Sequence, residues 1–113
     1  MKEFLLVFRG DQEAMWQGSP EEMQATAKKW QDWMGGIAAQ NKLVAAGKRM
    51  SPAGKVVRAK GLITDGPYIE VKESIVGQAT IRAESLEEAV ETAQGCPILL
   101  NGGNVEVREL NVS

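Results

Sequence analysis

The densest cluster of side chains that could do chemistry lies in residues 63–75, between two strand-like runs. Its ionisable members are Asp65, Tyr68, Glu70, Lys72 and Glu73. Asp65-Gly66-Pro67 is also a turn sequence, because aspartate caps its own turn, glycine accepts unusual dihedral angles and proline fixes the exit. Asp65 therefore has two interpretations, a turn residue or a carboxylate that accepts a proton or a substrate. A pKa near neutral pH would require its burial. Tyr68 is a candidate ligand-binding residue beside it.

The chain contains no histidine, which restricts the chemistry available to it. Histidine is the usual general base near neutral pH and the commonest metal ligand. Its absence excludes Ser-His-Asp and Cys-His mechanisms. With a single cysteine, Cys96, it also argues against a transition-metal site, so we predict no metal and no cofactor. Acid–base chemistry would have to use carboxylates, lysines, the tyrosine or the thiol.

Length and charge indicate one ordinary globular domain over residues 1–113. The net charge is −2, and no dense lysine or arginine cluster occurs, so we expect no nucleic-acid partner. No apolar run approaches the ~20 residues of a membrane span, and no signal peptide is apparent. A single cysteine cannot form an internal disulfide, which favours a cytoplasmic location.

Two capping boxes predict two helices. Ser19-Pro20-Glu21-Glu22 begins a helix that we expect to end near Gln40, with Asn41 as a left-handed cap. Gly35-Gly36 would either allow close backbone approach or end that helix early. Its apolar stripe consists of Met23, Ala27, Trp30, Met34 and Ile37, at spacings of three and four. Tryptophans on such a stripe are interpreted as core, with a ligand contact as the alternative. Ser85-Leu86-Glu87-Glu88 begins the second helix, which Gly95 ends.

The remaining segments predict strands. Residues 2–9 form an apolar strand, residues 43–50 a short one, and residues 55–60 and 62–64 a small hairpin. Residues 74–83 alternate, with Ile75, Gly77, Ala79, Ile81 and Ala83 on one face. Residues 104–110 form the last strand. The order β-α-β-(hairpin)-β-α-β predicts an α+β, ferredoxin-like fold, with both helices on one face of an antiparallel sheet.

The sheet face opposite the helices would carry a mixture of apolar and polar side chains. Arg82, Glu106 and Arg108 fall on this face if the last two strands share one sheet. They could form an ion-pair network, or an arginine clamp for a small carboxylate, since the guanidinium fork matches carboxylate geometry. We expect a second copy of the chain to cover this face, giving a homodimer; the alternative is an isolated domain that leaves the face in contact with water.

The segment Thr64-Asp65-Gly66-Pro67-Tyr68-Ile69-Glu70-Val71-Lys72-Glu73, followed by Val76-Gly77, resembles the signature of the YCII-related proteins. It is most similar to the branch named for an Asp-Gly-Pro-Phe motif, with tyrosine in place of phenylalanine and Gly77-Gln78-Ala79 in place of a Gly-Gly-aromatic segment. Further similar segments occur in the same order: Ser19-Pro20-Glu21-Glu22-Met23, Ser85-Leu86-Glu87-Glu88-Ala89, Gly95-Cys96-Pro97-Ile98 and Val105-Glu106-Val107-Arg108.

This resemblance implies a dimeric α+β barrel around a shared interior, with a pocket but no established reaction. A histidine–aspartate pair has been suggested as catalytic in this family. Because this chain has no histidine, only the role of the aspartate can be carried over, to Asp65. Three functions follow as hypotheses. The first is a dimeric small-molecule-binding or regulatory module, with a small carboxylate or lactone as ligand. The second is a metal-free acid–base enzyme of the lactone isomerase type, using Asp65. The third is a protein-interaction module linked to transcription regulation, because relatives of this branch occur beside extracytoplasmic-type sigma factors.

Overall fold

The computed structural model describes residues 1–11, 18–65 and 73–111. Its main sheet contains four strands, β1 (Lys2–Arg9), β2 (Leu43–Ala45), β5 (Ile75–Ala83) and β6 (Asn104–Glu109). Their spatial order is β2-β5-β1-β6, and every pair is antiparallel. The helices are α1 (Pro20–Ala39) and α2 (Leu86–Ala93), and a short 3-10 helix covers Pro97–Asn101. The predicted α+β, ferredoxin-like arrangement is confirmed.

A hairpin interrupts this arrangement, as predicted. Strands β3 (Lys55–Val57) and β4 (Ile63–Asp65) pair with each other in a separate two-stranded sheet, joined by a 3-10 turn over Ala59–Gly61. We call residues 55–65 the arm. Its apolar side chains are largely in solvent, with exposed fractions of 73% for Val57 and 57% for Ile63. The arm therefore lacks a hydrophobic core of its own, and an isolated hairpin of this length is only marginally stable in water.

The helix ends follow the capping signals in the sequence. The hydroxyl oxygens of Ser19 and Ser85 each accept a hydrogen bond from the backbone N–H three residues ahead, both at 3.2 Å. Asn41 adopts the expected left-handed conformation, with φ of 58°. The first helix continues through Gly35-Gly36, so these glycines do not end it.

The core lies between the helices and one face of the sheet. Phe4, Leu6 and Phe8 alternate along β1 and are buried against helix residues such as Ile37 and Ala89. Burying each of the large side chains contributes roughly 1.5–3 kcal/mol. The intervening side chains of β1, including Leu5 and Val7, point to the opposite face and are half-buried. No helix among the described residues covers that opposite face, which we call the open face.

Two local features differ from the sequence expectation. Strand β2 ends at Ala45, short of the predicted residue 50, because Gly47 is left-handed and its backbone lies against the carbonyl of Gln78. In β5, Phe8 pairs with Gly77 but Arg9 pairs with Ile75, so Val76 is the extra residue of a bulge. Val76 is consequently buried, whereas Ile75 is exposed and does not share a face with Ala79 and Ile81 as the alternation predicts.

Candidate functional site

Asp65 ends strand β4 on the arm. Its Oδ1 accepts a hydrogen bond from Lys55 Nζ at 2.7 Å, and 89% of its side chain is exposed. A carboxylate in such contact with water lacks the burial that a base active near neutral pH requires. Tyr68, its predicted companion, lies outside the described residues. The role of both as site residues stays a prediction.

Glu106 and Arg108 come together on the open face, as their register predicts. Glu106 Oε2 accepts a hydrogen bond from Arg108 Nη1 at 3.1 Å, and its Oε1 accepts from Arg9 Nη2 at 3.2 Å. The Arg108 hydrogen bond, and then that from Arg9, hold the pKa of Glu106 below its ordinary value. Sequence reasoning missed Arg9, although the alternation of β1 places it on the face of Leu5 and Val7.

Arg82 lies on the same face but makes a different contact. It pairs across the sheet with Glu3, and its Nη1 donates to the backbone carbonyl of Asn41 at 3.4 Å. Glu106 already accepts from the two other arginines. The structure therefore brings two of the three predicted clamp residues into contact and leaves Arg82 at the end of α1. Whether they bind a carboxylate stays a prediction.

A cavity of about 240 Å³ lies on the helix side of the sheet, between α1, the start of β5 and residues 46–49. Neither Asp65 nor Arg82 lines it. Its wall is mostly apolar and consists of Phe8, Ala27, Trp30, Met34, Ala46, Gly47, Lys48, Arg49, Val76, Gly77 and Gln78. An apolar cavity of about 150 Å³ holds a benzene molecule, so this one has room for a single ring with a small substituent.

The sequence makes this cavity by placing small residues opposite large ones. Ala27, Trp30 and Met34 follow one stripe of α1, and the small Ala27 leaves space beside the two larger side chains. Gly77 contributes no side chain from β5, and a Cβ there would lie 3.6 Å from the Phe8 ring. The bulge in β5 turns Val76 into the same space.

Two aromatic residues of the cavity wall, Phe8 and Trp30, belong to a cluster of three rings that also includes Trp33. Phe8, Trp30 and Trp33 contact one another edge to face, with centroid separations of 5.1 to 5.9 Å. Trp33 Nε1 donates to the carbonyl of Thr92 at 3.1 Å, which ties α1 to α2. Trp30 Nε1 is buried and has no hydrogen-bond partner among the described residues. Leaving such a donor unpaired costs roughly 1–3 kcal/mol.

Three polar residues are among those that line the cavity. They are Lys48, Arg49 and Gln78, and no acidic residue is among the lining residues in the described part of the chain. The exposed segment that carries Lys48 and Arg49 runs beside β5, where the N–H of Met50 donates to the carbonyl of Val76 at 2.8 Å. Sequence reasoning did not select these residues, because their position depends on that pairing.

Cys96 lines a second depression, of about 330 Å³, near the C-terminal end of α2. Burial raises the pKa of its thiol to about 12, so the thiol stays protonated at neutral pH. The thiolate is the nucleophilic form, so this cysteine is a packing residue. Within residues 1–11, 18–65 and 73–111, no three histidine, cysteine or acidic side chains are grouped as metal ligands.

The sequence model of the YCII-related domain matches residues 3–111 and so covers nearly the whole chain. The chain belongs to the YCII-related family. No curated protein matches the chain. Neither helix in the described ranges is long and apolar enough to cross a membrane.

Proposed function

We propose that this YCII-related protein is a small-molecule-binding module whose ligand occupies the cavity under α1. The observation that carries this proposal is the buried, unpaired N–H of Trp30 in the wall of an apolar cavity. Buried polar groups in native proteins are nearly always paired, so an unpaired donor beside a cavity calls for an acceptor that the chain does not supply.

The ligand's dimensions and polarity follow from the wall. A volume of about 240 Å³ is below the usual range for drug-sized ligands, which favours a molecule built on one ring. Phe8, Trp30 and Met34 offer apolar and aromatic contacts. Trp30 Nε1 has almost no exposed surface, so the indole would have to turn slightly to meet a ligand oxygen. That contact would satisfy the donor and contribute to affinity, as in other sites where a few polar groups orient an apolar ligand.

We further propose that the protein is a homodimer closed through the open faces, which would form a dimeric α+β barrel. Half-buried Leu5 and Val7 on that face support this, because pairing two sheets removes apolar surface from water. The molecule is also flat, with extents of 45 × 43 × 19 Å. Its radius of gyration is 15.3 Å, above the roughly 13 Å of a compact domain of this length.

Two alternatives stay open as proposals. The acid–base enzyme would require another surface, such as that of a second copy, to meet the exposed Asp65. The protein-interaction module finds support in the arm, where Val57, Leu62 and Ile63 are exposed. The unpaired Cys96 supports a cytoplasmic location, and the Asp-Gly-Pro segment supports the branch named for that motif.

Phenylacetamide tests the binding proposal, since it has one ring, a carbonyl acceptor and no charge. We expect calorimetric binding with a Kd between about 10 µM and 1 mM, where 1 mM corresponds to about −4.1 kcal/mol. Ala27→Leu should abolish it by filling the cavity, whereas Ala25→Leu, at an exposed position of the same helix, should not. Equal affinity in both variants, or no binding to the wild type, would overturn the proposal.

A further inference from the structure

We infer that Gly77 determines which ligands the cavity accepts, because the ring of the ligand occupies the space that a side chain at this position of β5 would fill. This inference rests on the proposed binding function and adds the residue that sets the size of the ring. It narrows the ligand class to compounds with one flat ring, whose edge lies against Gly77 and Phe8.

The position of Gly77 in the cavity wall is the first support. Gly77 pairs across the sheet with Phe8 of β1. An ideal Cβ on Gly77 would lie 3.6 Å from the Phe8 ring, 3.7 Å from the Lys48 carbonyl oxygen and 3.9 Å from the Arg49 Cα. These three neighbours also line the cavity. The missing side chain of Gly77 therefore leaves space at the cavity surface, beside the Phe8 ring.

The backbone at residue 77 does not require a glycine, which is the second support. Gly47, another glycine of the cavity wall, has a φ of 67°, a conformation that side chains disfavour. Gly77 has no such positive φ. It follows the extra residue Val76, but it is not the left-handed glycine that one common type of bulge needs. Other residues could therefore adopt the backbone conformation of Gly77.

Close packing does not require this glycine either. A Cβ on Gly103 would lie 2.6 Å from the carbonyl oxygen of Arg9, and one on Gly47 would overlap the carbonyl oxygen of Gln78. Both of those positions must lack a side chain. The contacts of a Cβ on Gly77, at 3.6 Å and longer, are ordinary van der Waals distances. A methyl group would fit there without displacing any described residue.

The place of Gly77 in the sheet makes the missing side chain costly. Strand β5 is central, since it pairs with both β1 and β2. Glycine inside a strand is less stable than alanine, and it often marks a point where a ligand or another backbone approaches closely. The neighbouring backbone leaves room for a methyl group, so a ligand accounts for this glycine better than the fold does.

Gly77→Ala tests the inference with two ring sizes, phenylacetamide and the smaller thiophen-3-ylacetamide, measured by calorimetry. We expect this variant to melt a few degrees higher than the wild type, because alanine suits a strand interior better. It should bind phenylacetamide roughly tenfold more weakly, because the added methyl group overpacks the occupied cavity. The smaller ring should lose about threefold less affinity than the larger one.

Gly36→Ala is the matched control. Gly36 is an exposed residue of α1 that does not line the cavity, and a Cβ there meets no described atom within 4 Å. This variant should also melt a few degrees higher, because alanine is the better helix former, and it should leave both affinities unchanged.

The outcomes separate the inference from the binding function. If the wild type and Gly77→Ala bind phenylacetamide equally well, the cavity is a ligand site but Gly77 does not select its ligand. A lower melting temperature for Gly77→Ala would show that the fold requires the glycine, and would overturn the inference. An equal loss of affinity for both probes would contradict selection by ring size. If the wild type binds neither probe, the binding function itself fails, and the inference fails with it.

Discussion

Trp30 and Trp33 lie about one turn apart on α1 with ring centroids 5.9 Å apart, yet only Trp33 has a hydrogen-bond partner. The two rings share a helix face and an aromatic cluster, so packing alone does not distinguish them. Trp33 donates to Thr92 and joins the two helices. Trp30 lines the cavity with its donor unpaired. Trp33 is thus structural, and Trp30 is the candidate for ligand contact.

This difference predicts unequal stability losses for two matched substitutions. Trp33→Phe removes the hydrogen bond that Trp33 donates to the Thr92 carbonyl, in addition to the lost ring volume, while that carbonyl keeps its bond from the Gly95 N–H. Trp30→Phe loses similar volume but also removes the unpaired donor. We expect Trp33→Phe to lower the free energy of unfolding by about 1 kcal/mol more than Trp30→Phe, measured by urea denaturation. The reverse order would contradict the assignment of the two rings.

Gly35 and Gly95 predict opposite responses to alanine. A Cβ on Gly35 meets no atom within 4 Å among the described residues, and the residue is helical. Gly35→Ala should therefore raise the free energy of unfolding by about 0.5–1 kcal/mol. A Cβ on Gly95 would lie 3.2 Å from the Trp33 indole, so Gly95→Ala should lower it. Thermal denaturation of both variants checks this. Destabilisation by Gly35→Ala would indicate that another surface approaches α1 there.

The lowered pKa of Glu106 predicts that part of the folding stability is lost in acid. Its pKa is lowered by Arg108 and Arg9, so the folded state favours the charged carboxylate. The resulting stabilisation is fully present when the pH is above 4.5, the ordinary pKa of a glutamate. It is lost as the pH falls through the lowered pKa of the folded state. Glu106→Gln should be less stable than the wild type at pH 7, with a difference that shrinks on acidification. Urea denaturation at pH 7, 4 and 3 measures it, and a pH-independent difference would refute this origin.

The open face predicts the oligomeric state. Sedimentation at micromolar concentration should give a species of twice the 12.3 kDa chain mass. Val7→Glu would bury a charge in the paired sheets and should shift the equilibrium to the monomer. Lys28→Glu, at an exposed position of α1, is the control and should remain dimeric. A monomeric wild type would contradict the dimeric barrel.

Much of the fold could be predicted from local sequence signals. Ser19 and Ser85 act through neighbours three residues away, and Asn41 through its own backbone, so the helix ends are visible in the sequence. The bulge at Val76 could not be predicted from local signals, because it depends on how β5 pairs with β1. The cavity could not be predicted for the same reason. Ala27, Gly47 and Gly77 are distant in the sequence, and only the fold shows that these small residues surround one space.

The most direct measurement of the central claim is the indole N–H spectrum of nitrogen-15-labelled protein during a phenylacetamide titration. The chain has three tryptophans, and the indole signals of Trp30 and Trp33 can be assigned with Trp30→Phe and Trp33→Phe. We expect the Trp30 proton signal to move downfield as its N–H gains an acceptor, while the signal of Trp33, whose N–H already donates to Thr92, moves little. Saturable binding that leaves the Trp30 signal in place, or moves only that of Trp33, would contradict a ligand contact at Trp30.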